Sequence, residues 1–152
     1  MSAESDASGT RTPPANYEET RLGMYRELLK RDAGLASEQD AYGRTPIHHM
    51  AATPTAFSQR FLQSYLDLLT SHGAQVDHRD LAGKTPLELA AVCLSEQQKG
   101  KAAQDAIERQ TEVIRMLLRK GACVDLLPKA TPQQRHVRGL VKKIDEEVKQ
   151  AD

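Results

Sequence analysis

Two five-residue strings, Gly73-Ala74-Gln75-Val76-Asp77 and Gly121-Ala122-Cys123-Val124-Asp125, differ at a single position. Each follows a segment with an apolar last turn, Leu68-Leu69 in one and Met116-Leu117-Leu118 in the other. Gly placed after such a turn is the expected left-handed helix terminator, so a repeated terminator means a repeated unit. A second landmark recurs in register with it. Thr45-Pro46, Thr85-Pro86 and Thr131-Pro132 each read as a helix start, with Thr as the cap and Pro as a first helical residue that loses no needed donor. Glu88 and Gln134 stand three residues beyond their Thr and complete capping boxes, while His48 holds that place in the first unit. Asp40-Ala41-Tyr42-Gly43 and Asp80-Leu81-Ala82-Gly83 form a third landmark, each two residues ahead of a Thr-Pro.

The first helix is expected over Tyr17 to Arg31, opened by Asn16 with Glu19 at the third helical position and carrying Leu22, Tyr25, Leu28 and Leu29. The last helix has Val137, Leu140, Val141, Ile144 and Val148 on one face and Lys142, Lys143, Asp145, Glu146 and Glu147 around the other. Residues 1–15 hold no apolar side chain larger than Ala after Met1, so they cannot offset ordering entropy by burial and read as a disordered tail.

Together these landmarks resemble the ankyrin repeat, whose unit of about 33 residues is a β-turn plus two antiparallel helices with a T-P-L-H-x-A signature. The carriers are Thr45-Pro46-Ile47-His48-His49-Met50-Ala51 and Thr85-Pro86-Leu87-Glu88-Leu89-Ala90-Ala91. The resemblance implies an all-α fold, an ankyrin-repeat solenoid of about six helices with β-turn fingers, over residues 16–150. Its parts are an N-terminal cap (16–39), a repeat (40–77), a second repeat with a long helix hairpin (78–125) and a C-terminal cap (126–150). The spacing is longer than the family's: 40 residues from Thr45 to Thr85 and 48 from Gly73 to Gly121. Gly73 to Thr85 and Ala33 to Thr45 both span 12, so the extra length falls between paired helices, at Ala52–Ser58 and at Leu94–Thr111. The second stretch is polar and helix-favouring, and is expected to lengthen both helices around Gly100. Gly121 to Thr131 spans only 10 and contains Pro128, a shortened last turn.

Composition limits the function. Lys and Arg number 21 and Asp and Glu 21, and this zero balance calls for neither nucleic acid nor an anionic membrane. Aromatics are 4%, so the core must be Leu, Ala, Val, Ile and Met, with Ala51, Ala90 and Ala91 permitting close helix approach. No apolar run approaches a membrane span, no signal-peptide pattern opens the chain, and Cys93 and Cys123 lack CxxC spacing. The expected setting is the cytoplasm or nucleus.

Catalytic patterns are missing: no GxSxG, Walker A or GxGxxG, and no HxxxH among His48, His49, His72, His78 and His136. His48 is expected to hydrogen-bond within its helix cap, and His72 to sit favourably at a helix C-terminus. No enzyme, cofactor or metal is expected; an enzyme or metal protein using His48, His49 and a carboxylate is the remote alternative. What remains is binding to another protein, as an adaptor or subunit of a larger assembly, or alternatively as a stoichiometric inhibitor or assembly chaperone. The resemblance points to Ala41, Tyr42 and Arg44 in one finger and Leu81, Ala82 and Lys84 in the next, with His49 and Cys93 on the inner helices. Tyr42 with Arg44 leads, since aromatic and guanidinium groups anchor interfaces. The long hairpin at Glu96–Arg109 is the competing surface.

Overall fold

The computed structural model describes residues 17–52 and 58–151. The expected tail at 1–15, the Asn16 cap and residues 53–57 of the expected longer junction lie outside the described residues. The described residues form an all-α fold with six helices among them: α1 (Tyr17–Arg31), α2 (Pro46–Ala52), α3 (Gln59–Ser71), α4 (Pro86–Lys99), α5 (Gln104–Arg119) and α6 (Pro132–Ala151). Short 3₁₀ turns at Ala33–Ser37 and Val124–Leu126 complete it, and no described residue is in a strand. Among the described residues, no helix is long and apolar enough to cross a membrane.

Each Thr-Pro begins a helix. Thr85 Oγ1 accepts from the Glu88 N–H at 3.3 Å. At α6 the box is reciprocal: Thr131 Oγ1 accepts from the Gln134 N–H at 3.1 Å, and Gln134 Oε1 accepts from the Thr131 N–H at 3.1 Å. Such a cap stabilises its helix by about 1 kcal/mol. The repeated Gly-Ala strings end α3 and α5 identically. Gly73 (φ +96) and Gly121 (φ +97) take the left-handed conformation. The N–H groups of Ala74 and Ala122 reach back to Leu69 O (3.1 Å) and Leu117 O (3.0 Å), closing a Schellman motif at each end.

The long hairpin forms as its composition predicts. The link between α4 and α5 is residues 100–103, so the extra residues extend the helices. Its terminator is displaced by one residue: Gly100 has φ −82 and Lys101 takes the left-handed conformation at φ +58. Lys101 N and Ala102 N then bond Gln98 O (3.3 Å) and Gln97 O (2.9 Å), the same motif closed on a residue with a Cβ penalty.

Helices two apart in sequence pack side by side, α1 on α3 and α3 on α5 in one row, α2 on α4 and α4 on α6 in the other, with α4 against α5 and α5 against α6 between the rows. The interior is Ile47, Leu66, Leu87, Leu94, Ile114, Leu117 and Val141, spaced by fully buried Ala51, Ala90 and Ala91. Among these apolar residues lies Gln110, whose amide donates to Ala51 O (2.9 Å) and Ala90 O (3.0 Å) and so ties α5 to α2 and α4. The α1 face differs from expectation in one residue. Leu22 and Leu29 are buried but Leu28 is 48% exposed beside an exposed Met24, because it lies about 100° around the helix from Leu29. Tyr25 joins the core edge by packing on Tyr65, which stacks on Phe61. The Glu18 carboxylate accepts from the N–H and Oγ of Ser58 at 2.7 and 2.8 Å, pinning the start of α3 to α1.

Candidate functional site

The two Asp-x-x-Gly strings fold into the same turn atom for atom. Asp40 Oδ1 accepts from the N–H groups of Tyr42 (2.8 Å) and Arg44 (3.0 Å); Asp80 Oδ1 accepts from those of Ala82 (2.9 Å) and Lys84 (2.9 Å). The backbone closes each turn identically: Gly43 N to Asp40 O at 3.0 Å and Gly83 N to Asp80 O at 2.9 Å, with both glycines at positive φ. Local chemistry dictates this, since an Asp side chain can bind backbone N–H groups two and four residues on while Gly supplies the left-handed corner.

The turns also touch. The Leu81 N–H donates to Tyr42 O at 2.9 Å, and a Cβ on Gly43 would lie 2.8 Å from Leu81 N. His48 adds the second link. The Thr45 N–H donates to His48 Nδ1 at 3.1 Å, which makes Nδ1 the acceptor, so Nε2 carries the proton and donates to Lys84 O at 3.0 Å. The expected cap bond is present, with a tie to the next turn beyond it. Burial, the largest influence, lowers the His48 pKa below its ordinary value, in keeping with a neutral ring; the His78 ring meets it edge-on at 6.0 Å.

The two aspartates differ in setting. Asp80 is buried; burial pushes its carboxyl up, but the Lys84 N–H, Arg44 and the Ala82 N–H outweigh this and hold it below the usual carboxylate range. Asp40 is exposed, and the N–H groups of Arg44 and Tyr42, helped by His49, lower it in the same direction.

Of the residues singled out from sequence, Tyr42 (69% exposed) and Leu81 (78% exposed) stand at the turn tips. Arg44 places its guanidinium carbon 5.8 Å from the Tyr42 ring centroid and its Nε 3.4 Å from Asp80 Oδ2. It is therefore an internal strut as well as a surface group. Lys84 is half-buried at its turn's exit, with its carbonyl taken by His48 and the Asp80 N–H. His49 is exposed and its Nε2 donates to Asp40 Oδ2 at 2.8 Å. Ala41 and Ala82 are exposed. Cys93 lies half-buried within α4, away from this edge in sequence; burial and then Glu96 push its thiol up, disfavouring the thiolate. His48 and His49 turn to different partners, and no group of three or more His, Cys, Asp or Glu among the described residues is set to hold a metal ion.

At the far end, α6 replaces a turn with arginines. Arg138 Nη1 donates to Leu127 O at 2.8 Å and Arg135 Nη1 to Lys129 O and Ala130 O at 3.2 Å, serving carbonyls of the shortened loop. The long hairpin flanks a groove of about 510 Å³ floored by Leu94, Ile107, Leu140 and Ile144 and rimmed by Glu108, Glu112, Glu147, Arg115 and Lys143. Sequence reasoning did not identify this groove, because its wall is shared with α6. No protein-family model matches the chain, and no curated protein does.

Proposed function

We propose that the chain is a short ankyrin-repeat protein, a solenoid whose β-turn fingers bind another protein, acting as an adaptor or as a subunit of a larger assembly in the cytoplasm or nucleus. In this reading it works by binding and not by catalysis, and its contact residues are Tyr42, Arg44, Leu81, Lys84 and His49. The observation that carries it is the pair of identical turns whose tips expose a large apolar side chain, Tyr42 and Leu81. Two carboxylates, two left-handed glycines and a buried imidazole hold these tips, yet the tip side chains are largely exposed. Rigid, exposed apolar groups beside a guanidinium are what interface anchors require, because little side-chain entropy is lost on contact.

The test compares proteins captured by the tagged wild-type chain with those captured by Tyr42→Ala combined with Leu81→Ala. Both side chains are solvent-facing, so the melting temperature should stay within the small range of surface substitutions, about 0.5 kcal/mol in stability. Loss of a stoichiometric partner at unchanged melting temperature supports the reading. Retention of the same partner moves the contact away from the turn edge. A partner that is a free enzyme, silenced on binding, would assign the inhibitor role over the subunit role.

A further inference from the structure

Three cationic residues, Arg44, Arg79 and Lys84, are tied to the buried Asp80 in different ways. Arg44 contacts it through Nε, Arg79 precedes it in the chain, and Lys84 donates its backbone N–H to it. Among the described residues, neither terminal nitrogen of Arg44 nor the charged groups of Arg79 and Lys84 make a hydrogen bond or ion pair. None of the acids nearby bonds the charged group of Arg79 or Lys84. Asp80 is buried, Asp40 is bonded by two backbone N–H groups and His49, and Glu88, which feels both Lys84 and Arg79, is half-buried with its carboxyl pushed up by that burial. The two exposed apolar tips, Tyr42 and Leu81, thus have an exposed Arg79 and half-buried Arg44 and Lys84 within three residues of them in the chain.

We propose that the segment docking on this edge is an acidic stretch of polypeptide with a large apolar side chain set among its carboxylates. The apolar group packs on Leu81 and Tyr42 while the carboxylates meet Arg44, Arg79 and Lys84. This rests on the binding reading above. Polypeptide is favoured over nucleic acid because Leu81 offers no contact to a phosphate and three cations are few for a phosphate ladder, in a chain with no net field to steer a polyanion.

The test is selection of a displayed random-peptide library on the immobilised full chain, with the Tyr42→Ala, Leu81→Ala variant as counter-target. The selected peptides should carry net negative charge and Leu, Phe or Tyr. The best of them, fluorescein-labelled, should bind on the order of tenfold more weakly to Arg79→Glu, Lys84→Glu at unchanged melting temperature, or to Lys84→Gln if the double variant melts early. Raising salt from about 0.05 M to about 0.5 M should weaken it in the same sense. Selected peptides that are neutral or basic but lost in the Tyr42→Ala, Leu81→Ala variant would overturn the acidic partner and leave the edge standing. No enrichment, or enrichment indifferent to that variant, would overturn both. Displacement of the peptide by single-stranded oligouridine, with tighter binding of the RNA, would replace the polypeptide by nucleic acid.

Discussion

The imidazole of His48 closes its own helix start through Nδ1 and holds the carbonyl of Lys84, 36 residues later, through Nε2. One buried side chain thereby fixes both the beginning of α2 and the exit of the next turn. That is why the two turns stand in register, with Leu81 N on Tyr42 O beside it. The exposed tips inherit their positions from this link.

Replacing His48 by Leu keeps the volume but leaves the buried Thr45 N–H without its acceptor, and stability should fall by about 2 kcal/mol in urea unfolding at about pH 7.5. The pH dependence gives a second reading. The folded-state pKa lies below the unfolded value of 6.5, so the unfolded chain binds the proton more readily and wild-type stability drops as pH falls below that value. His48→Leu should flatten this slope between about pH 7.5 and about pH 5.5. An equal slope in the variant would assign the proton to another group.

Gly43 and Gly83 occupy the same place in their turns and have φ +76 and +81. Alanine at either incurs the left-handed penalty of about 1 kcal/mol. Only at Gly43 does the new Cβ also meet backbone, Leu81 N at 2.8 Å, whereas nothing lies within 4 Å at Gly83. Gly43→Ala should therefore cost about 1–3 kcal/mol more than Gly83→Ala by thermal or urea unfolding. Equal losses would mean the turns move apart freely.

Lys101 closes α4 at φ +58, where its neighbour Gly100 has no need of its freedom. Lys101→Gly should stabilise the chain by about 0.5–1 kcal/mol, since the removed strain exceeds the added unfolded-state entropy. Calorimetry of the single variant reads this directly as a rise in melting temperature.

Gln110 spends both amide hydrogens on carbonyls of other helices. Gln110→Leu fills the space but strips Ala51 O and Ala90 O of this donor, and the expected loss is about 1–3 kcal/mol in urea unfolding. Hydrogen exchange should then quicken in α2, the seven-residue helix it anchors.

Much of this architecture was legible because it is local. Thr131 with Gln134, Ala74 with Leu69 and Asp80 with Lys84 each bond within five residues, and a short string of the right residue types specifies the bond. Tyr42 and Leu81 were legible as tips for the same reason, since a turn's central residues face outward once its Asp and Gly are set. Leu28 was misjudged because periodicity ranks apolar residues along a helix without saying how wide a stripe the neighbours cover. Gln110 carried no signal, because its partners are backbone carbonyls that every residue possesses. Arg44 was legible as a surface group but not as a strut on Asp80, 36 residues away.

The chain by itself determined where helices start and stop, which turns repeat, and that small residues would sit where helices approach. Those outcomes follow from hydrogen bonds and dihedral preferences spanning a few residues. Tertiary structure alone decided that one turn rests on the next, that His48 and Arg44 reach across, and that the Asp80 carboxylate is buried while Arg79, Tyr42 and Leu81 are exposed. Such relations depend on backbone groups brought together across some forty residues, whose positions exist only after the helices have packed.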